Sequence, residues 1–416
     1  MRHLWGLALA VVLLAAPAQA QSSGSFWVLR EPDQAVQYDA PGSAARRAVQ
    51  VPRRLLEHPE YLTVNAKGQM LFVPPRGAEW GSGEMASAGG RVWLWDGSQA
   101  REWPLGDLPA GGITITLDWF LSAGGDALFV LETRVEKVVD PSGVDLSVRT
   151  TARVRRTDLT RGRAVTIASL PSSGQCMCAT GVCSETCPEW SLWAPGGVVG
   201  DAFLVTLVTP GQIGSTWHES LLYRRTGRQW RATKLPQPLE QPFSASSTGD
   251  LVIAAVLDGG CCGWMNEGSD RLLLVRGGAV AVLYDEFTRY DNSNYDVSLY
   301  PSNARLAPGR TMVAYTLVST AKPGDQIPLS SSGTERPDEL ARVRATIAEL
   351  PSIEVVRISA PPQRTAVIPH AALVGWLNDR EILTVRDGSL TVYDLQTARW
   401  RDTAIRVRTA ADVFLP

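Results

Sequence analysis

The residues with the most specific chemistry are the six cysteines. Cys176, Cys178, Cys183 and Cys187 form a C-x-C-x4-C-x3-C cluster, and Cys261 and Cys262 are adjacent within DGGCCGWMNEGSD, residues 258–270. An even cysteine count suits disulfides where the chain matures in an oxidising compartment. The preferred pattern sends Cys261 and Cys262 each to one member of the first cluster and leaves one local pair. The spacing leaves other pairings open. A zinc site is a second reading, although the spacing departs from paired C-x2-C ligands and no histidine stands nearby. A vicinal Cys261–Cys262 disulfide is a third, and it would strain the peptide between them.

Carboxylates come next. Glu60, Asp118, Glu189, Asp296 and Asp412 each precede or open an apolar run. Gathered in space, they would bind a cation or a basic group, and mutual repulsion would raise some of their pKa values. The plainer alternative is that each accepts backbone N–H groups in a connecting loop. DNSNYD (291–296) offers Asp291, Ser293 and Asp296 as oxygen ligands for calcium. It lacks the glycine and distal glutamate of an EF-hand loop, so loop capping is the stronger expectation and no cofactor is assigned. Signals for a nucleophile are poor: there is no G-x-S-x-G, P-loop, G-x-G-x-x-G or H-E-x-x-H. His58, His218 and His370 are scattered along the chain.

These residues are to be exported. The opening MRHLWGLALAVVLLAAPAQAQ has a basic start, an apolar stretch and a small-residue Ala18-Gln19-Ala20 site, the pattern of a secretory signal over residues 1–20. The apolar stretch is about half of the ~20 residues that span a bilayer. A secreted or periplasmic protein without a transmembrane anchor is therefore expected. The formal net charge of −2 and the mixed distribution of charge argue against nucleic acid as a partner.

The elements that must position these residues repeat along the chain. EYLTVNAKGQMLFV (from 60), DWFLSAGGDALFV (118), EWSLWAPGGVVGDAFLV (189), FSASSTGDLVIAA (243), DVSLYPSNARLAPGRTMVAY (296) and LVGWLNDREILTV (373) each join two apolar runs through a turn. A second two-strand phrase follows each first, as in RVWLWDGSQAREWPL and SLTVYDLQTARWRDTAI. Together they make a four-stranded antiparallel unit, a to d. SFWVLREPDQAVQYDAPGSAARRAVQV reads as b, c and d without an a. The terminal RTAADVFLP reads as an a strand without a b. The expected fold is thus all-β: one propeller over residues 21–416 with seven four-stranded blades, closed by the C-terminal strand joining the N-terminal blade.

The a–b phrase resembles the repeat of TolB-like and WD-repeat-like propellers, on Glu189-Trp190-Ser191 and Asn65-Ala66-Lys67-Gly68. Asp394-Leu395-Gln396-Thr397 and Asp158-Leu159-Thr160-Arg161-Gly162 resemble the c–d turn of that family. The resemblance implies a fold with many roles, among them periplasmic scaffolds, peptidase gating domains and glycan-acting enzymes, and does not by itself fix a function.

Strand parity puts the a–b and c–d turns at one end and the b–c and d–a loops at the other. The long segments 76–90, 136–147 and 321–351 are read as b–c loops. Within the last, an insertion in blade 6, PDELARVRATIAEL predicts a short helix with Leu340, Val343, Ile347 and Leu350 on one face. Both cysteine groups also fall in loops of this end, on neighbouring blades. Trp80 and Trp264 lie in two of its loops and are the tryptophans expected to touch a partner. The leading expectation is a monomeric, non-enzymatic binding scaffold that engages a protein or glycan through the long-loop end. The alternative is a carbohydrate-acting hydrolase or lyase using Glu60, Asp118, Glu189, Asp296 and Asp412, which would begin the a strands at the mouth of the propeller's central channel.

Overall fold

In the computed structural model of the chain, the structure describes residues 25–30, 33–52, 61–64, 69–73, 91–104, 113–122, 126–139, 145–178, 192–199, 202–210, 215–227, 229–239, 241–245, 251–256, 271–276, 279–285, 288–289, 297–325 and 337–415. The short apolar runs pair with their nearest neighbours in sequence, giving antiparallel sheets in chain order. Sheet 1 holds Phe26–Arg30, Gln34–Tyr38 and Ala45–Gln50. Sheet 2 holds Tyr61–Val64, Met70–Val73, Arg91–Trp95 and Ala100–Pro104. Sheet 3 is the largest, with Ile113–Leu121, Ala127–Val139, Asp145–Asp158 and Ala164–Cys178. Sheet 4 holds Leu192–Val199, Ala202–Pro210, Ser215–Thr226 and Gln229–Lys234. Sheet 5 holds Gln241–Ala245, Leu251–Val256, Arg271–Arg276 and Ala279–Asp285. Sheet 6 holds Val297–Leu306, Met312–Ser319, Ser352–Arg357 and Gln363–Ile368, with Thr288–Arg289 added along its first strand. Sheet 7 holds Ala372–Trp376, Glu381–Arg386, Ser389–Asp394 and Arg399–Arg406.

The fold is an all-β propeller, and its C-terminal strand joins the N-terminal sheet. Val413 and Phe414 pair with Val28 and Trp27, supplying the strand that sheet 1 lacks. Side chains seal successive sheets together. Strand b of sheet 3 shows how: Leu128 and Val130 pack toward sheet 2 with Leu71 and Leu94, while Phe129 and Leu131 pack toward sheet 4 with Phe203 and Val205. Alternate residues point to opposite faces, so a strand buried on both faces must be apolar throughout. Ala127 to Leu131 are all buried. Comparable cores join sheets 4 and 5 through Leu204 and Leu273, sheets 5 and 6 through Leu274 and Tyr315, and sheets 6 and 7 through Ile353 and Leu373. Sheets 7 and 1 meet at Leu383 and Phe26, and sheets 1 and 2 at Trp27 and Phe72.

The c–d turns follow one local rule. Asp96, Asp158 and Asp394 each accept two backbone N–H bonds, from residues two and three further on, at 2.9 Å. Such capping fixes the turn and favours the ionised carboxylate. All three carboxyls accordingly lie below the ordinary aspartate range. The leading cause is the Gln99 N–H for Asp96, the Arg161 N–H for Asp158 and the Arg380 guanidinium for Asp394. The Asp158 and Asp394 phrases thus lie in c–d connections, the place their resemblance to propeller repeats implies.

Candidate functional site

The b–c/d–a end carries two elaborations among the described residues. The first is helix α1, Pro337–Ala348, between strands b and c of sheet 6. Leu340, Val343 and Ile347 recur at helical spacing and are buried against Leu299 and Leu317 of sheet 6, with Tyr284 of sheet 5 and Leu350 alongside. Each such aliphatic side chain contributes about 1.5–3 kcal/mol by leaving water. The helix therefore straddles the end of sheets 5 and 6. Its other face, with Arg342 and Arg344, is exposed.

The second elaboration corrects a sequence expectation. Residues 136–139 and 145–147 are strand and not loop: strand b of sheet 3 runs to Val139 and strand c begins at Asp145. The β-branched run Ile113-Thr114-Ile115-Thr116 continues the ladder, with Ile113 opposite Glu136, so the strands lengthen instead of ending. The same extension relocates two cysteines. Cys176 and Cys178 lie on strand d of sheet 3, opposite Ser147 and Asp145, and not in the loop before sheet 4. Cys183, Cys187, Cys261 and Cys262 lie outside the described residues, as do Trp80, Trp264 and the DNSNYD phrase with Asp291, Ser293 and Asp296.

The expected gathering of the five carboxylates is also altered. Asp118 does not open its strand. It is the sixth residue of Ile113–Leu121 and sits opposite Leu131, because pairing begins five residues earlier. Asp412 does stand before the closing strand. Its Oδ2 accepts the Thr409 N–H at 3.1 Å and the Thr409 hydroxyl at 3.3 Å, and Oδ1 is 3.4 Å from Arg408. This acid caps the turn that leads into Val413. Glu60, Glu189 and Asp296 fall outside the described residues. Among the described residues no group of three or more His, Cys, Asp or Glu side chains is arranged to hold a metal ion, and no helix is long and apolar enough to cross a membrane.

The opposite end holds a feature that sequence patterning missed. A cavity of about 660 Å³ lies between sheets 3 and 4, at the a–b and c–d turns. Sheet 3 contributes Ser122, Asp126 and Arg156. Sheet 4 contributes Arg224, Arg225 and Gly227 from one side of its c–d hairpin and Trp230, Arg231 and Thr233 from the other. Arg156 pairs with Asp126 at 2.6 Å, and Ser122 Oγ donates to the other Asp126 oxygen at 2.8 Å. Arg225 Nε donates to the Gly227 carbonyl at 3.1 Å. Trp230 meets Phe129 edge to face, with centroids 5.7 Å apart. The sequence signal was the run RRTGRQWR at 224–231, whose basic density reads as a solvated hairpin until sheet 3 is placed beside it.

No family model matches the chain, and no curated protein matches it. Among solved structures it is similar to Pyrococcus horikoshii acylaminoacyl peptidase, at 11% identity and a TM-score of 0.37, over 89% of this chain and 47% of that one. It is similar to Porphyromonas gingivalis dipeptidyl peptidase 4 at 10% identity and a TM-score of 0.39, over 91% and 58%. The β-propeller domain of the Trilobed protease from Pyrococcus furiosus gives 9% identity and a TM-score of 0.30, over 84% and 98%. The chain spans about half the length of the first of these. The propeller assignment rests on the sheets described above.

Proposed function

We propose that the protein is an exported, monomeric binding scaffold: a TolB-like propeller of seven blades, one for each sheet, that engages a protein or glycan through its b–c/d–a end. The observation that carries this reading is α1. Sheet 6 commits a whole helix to that end, its apolar face buried in the propeller and its Arg342 and Arg344 face left to solvent. Ordered insertions anchored in this way on a rigid scaffold are a common site of recognition. The extended strands of sheet 3 raise the same end further and carry Cys176 and Cys178 with them. In this reading the cysteines form disulfides that fix the loops around Trp80 and Trp264.

The test is affinity capture from envelope extract together with a glycan array, using the full exported chain. Arg342→Glu/Arg344→Glu and Trp264→Ala are expected to lose the bound partner, while Arg399→Ala, on the outer strand of sheet 7, keeps it. A partner retained equally by all variants, or the capture of no protein and no glycan, overturns the reading.

A further inference from the structure

We propose that the outer strand of sheet 5, Ala279–Asp285, is a docking edge that takes an extended apolar segment of a partner protein as a further antiparallel strand, with an acidic residue of that segment beside Ala279. The inference deepens the scaffold reading by naming the kind of partner, a strand-forming peptide. Strand d ends sheet 5, with no strand beyond it. In an antiparallel ladder, alternate residues turn their N–H and C=O groups away from the neighbour they pair with. Such an edge is a template for another chain, and proteins blunt it with charge, proline or bulges. The outer strands of sheets 1, 2, 4, 6 and 7 each carry arginine, from Arg46 in sheet 1 to Arg399 in sheet 7. That of sheet 3 has no charge but is interrupted by Pro171, where its pairing shifts register. Sheet 5 departs from this pattern: Ala279 to Tyr284 hold no charge, proline or glycine.

Ala279 to Val282 pair residue for residue with Arg276 to Leu273, and the register shift of this pair falls at Leu283. A regular edge is left at the turn end of the strand. Val280 and Val282 share a face by alternation, opposite Val275 and Leu273 of the core between sheets 4 and 5. They are nevertheless 36% and 40% exposed. Apolar side chains on an added strand would stand directly opposite them and cover them, the pairing that stabilises a sheet. The charges at the two ends choose the occupant. Asp285 is already paired with Arg271 at 3.0 Å. Arg276, at the other end, is exposed and makes no ion pair among the described residues. It stands opposite Ala279, so the two share a face. A residue added opposite Ala279 lies on that face, two strand spacings or about 10 Å from Arg276. A glutamate there and the long arginine side chain span that distance. Tyr284, at the loop end of the strand, packs against the α1 cluster, so the edge continues the surface that α1 presents.

The test is fluorescence anisotropy of the full exported chain with the labelled peptide Thr-Thr-Val-Thr-Val-Glu. In antiparallel register its valines face Val280 and Val282 and its glutamate faces Ala279, and saturable binding is expected. Two forms of the peptide, N-methylated at alternate residues, separate strand addition from simple apolar contact. The form methylated on the N–H groups that face the edge is expected to lose binding, and the other to keep it. Val280→Lys/Val282→Lys, at exposed positions, is expected to weaken binding at least about tenfold. Arg276→Glu is expected to reverse the preference for this peptide over one ending in lysine, by about fivefold at most. No binding, equal binding of the two N-methylated forms, or unchanged affinity in the valine variant overturns the proposal. A dimer of the chain, seen by sedimentation and dissolved by the valine variant, also overturns it and gives the edge to a second copy. The synthetic peptide needs no captured partner, so failure here leaves the α1 reading standing.

Discussion

At the turn end of the propeller, connections of a few residues are closed by single polar side chains. Asp96, Asp158, Asn378 and Asp394 each accept two backbone N–H groups within their own turns. Neighbouring sheets are tied there by further polar bonds: the Gly309 N–H donates to the Asp379 carboxylate, and Trp376 Nε1 donates to the Arg305 carbonyl at 2.9 Å. At the loop end, α1 is held by Leu340, Val343 and Ile347 in an apolar cluster. The difference follows from loop length. A short turn has its backbone groups within reach of one carboxylate or amide, so a local hydrogen bond can specify it. A long insertion has no fixed local geometry and must be attached by burying apolar area, which is non-directional and additive. The turn end should therefore fail in small, local steps, and the loop end through loss of packing.

The largest effect is expected from Ile347→Asp, which buries an unpaired carboxylate in the α1 cluster. It should release the helix at a cost of about 3–5 kcal/mol to that element. Hydrogen exchange should show the amides of residues 341–348 losing protection while those of sheets 3 and 7 keep theirs. Protection retained across α1 would show that apolar attachment does not hold this end.

A smaller effect is expected from Gly309→Ala. A Cβ at Gly309 would fall on the Asp379 carboxylate, which approaches the backbone closely there. The carboxylate must swing away and the bond between sheets 6 and 7 is lost, about 0.5–1.5 kcal/mol for one net hydrogen bond. A urea midpoint equal to wild type would remove this tie from the account of the turn end.

The smallest effect is expected from Asp394→Asn, and it depends on pH. The Arg380 guanidinium, and then the Thr397 and Gln396 N–H groups, hold this carboxyl well below the usual aspartate range. A depressed folded-state pKa stabilises the fold above the unfolded value of about 3.9 and loses that contribution as pH falls through the folded one. Wild type should therefore exceed the variant in urea midpoint near neutrality, and the gap should begin to narrow only below about pH 4, closing as pH falls toward the folded-state value. A difference that does not change with pH would mean that the turn is held by shape alone.

Much of the propeller was legible because its signals are local. Apolar runs such as ALFVL and EILTV, separated by Asp- and Asn-bearing turns, identify strands and their pairing to sequence neighbours, and Pro337 with Leu340, Val343 and Ile347 marks the helix. Strand ends were less legible. The register of Asp118 and the length of the sheet 3 strands depend on how far Ile113 to Thr116 find partners in Glu136 to Thr133, and nothing within either segment states where pairing stops.

The amino-acid sequence by itself determined the all-β class, the four-strand repeat, the C-terminal strand that joins the first sheet, and a helix in the sheet 6 insertion. Each depends on period, turn chemistry or complementary ends, which are properties of neighbouring residues. The tertiary structure decided that Asp118 lies within a strand, that Asp412 caps a turn, that Cys176 and Cys178 sit on an extended sheet, and that Arg225 and Trp230 line one cavity with Arg156 and Asp126. Those outcomes depend on register and on which blade stands beside which. They arise from contacts between segments far apart in the chain, which local pattern does not encode.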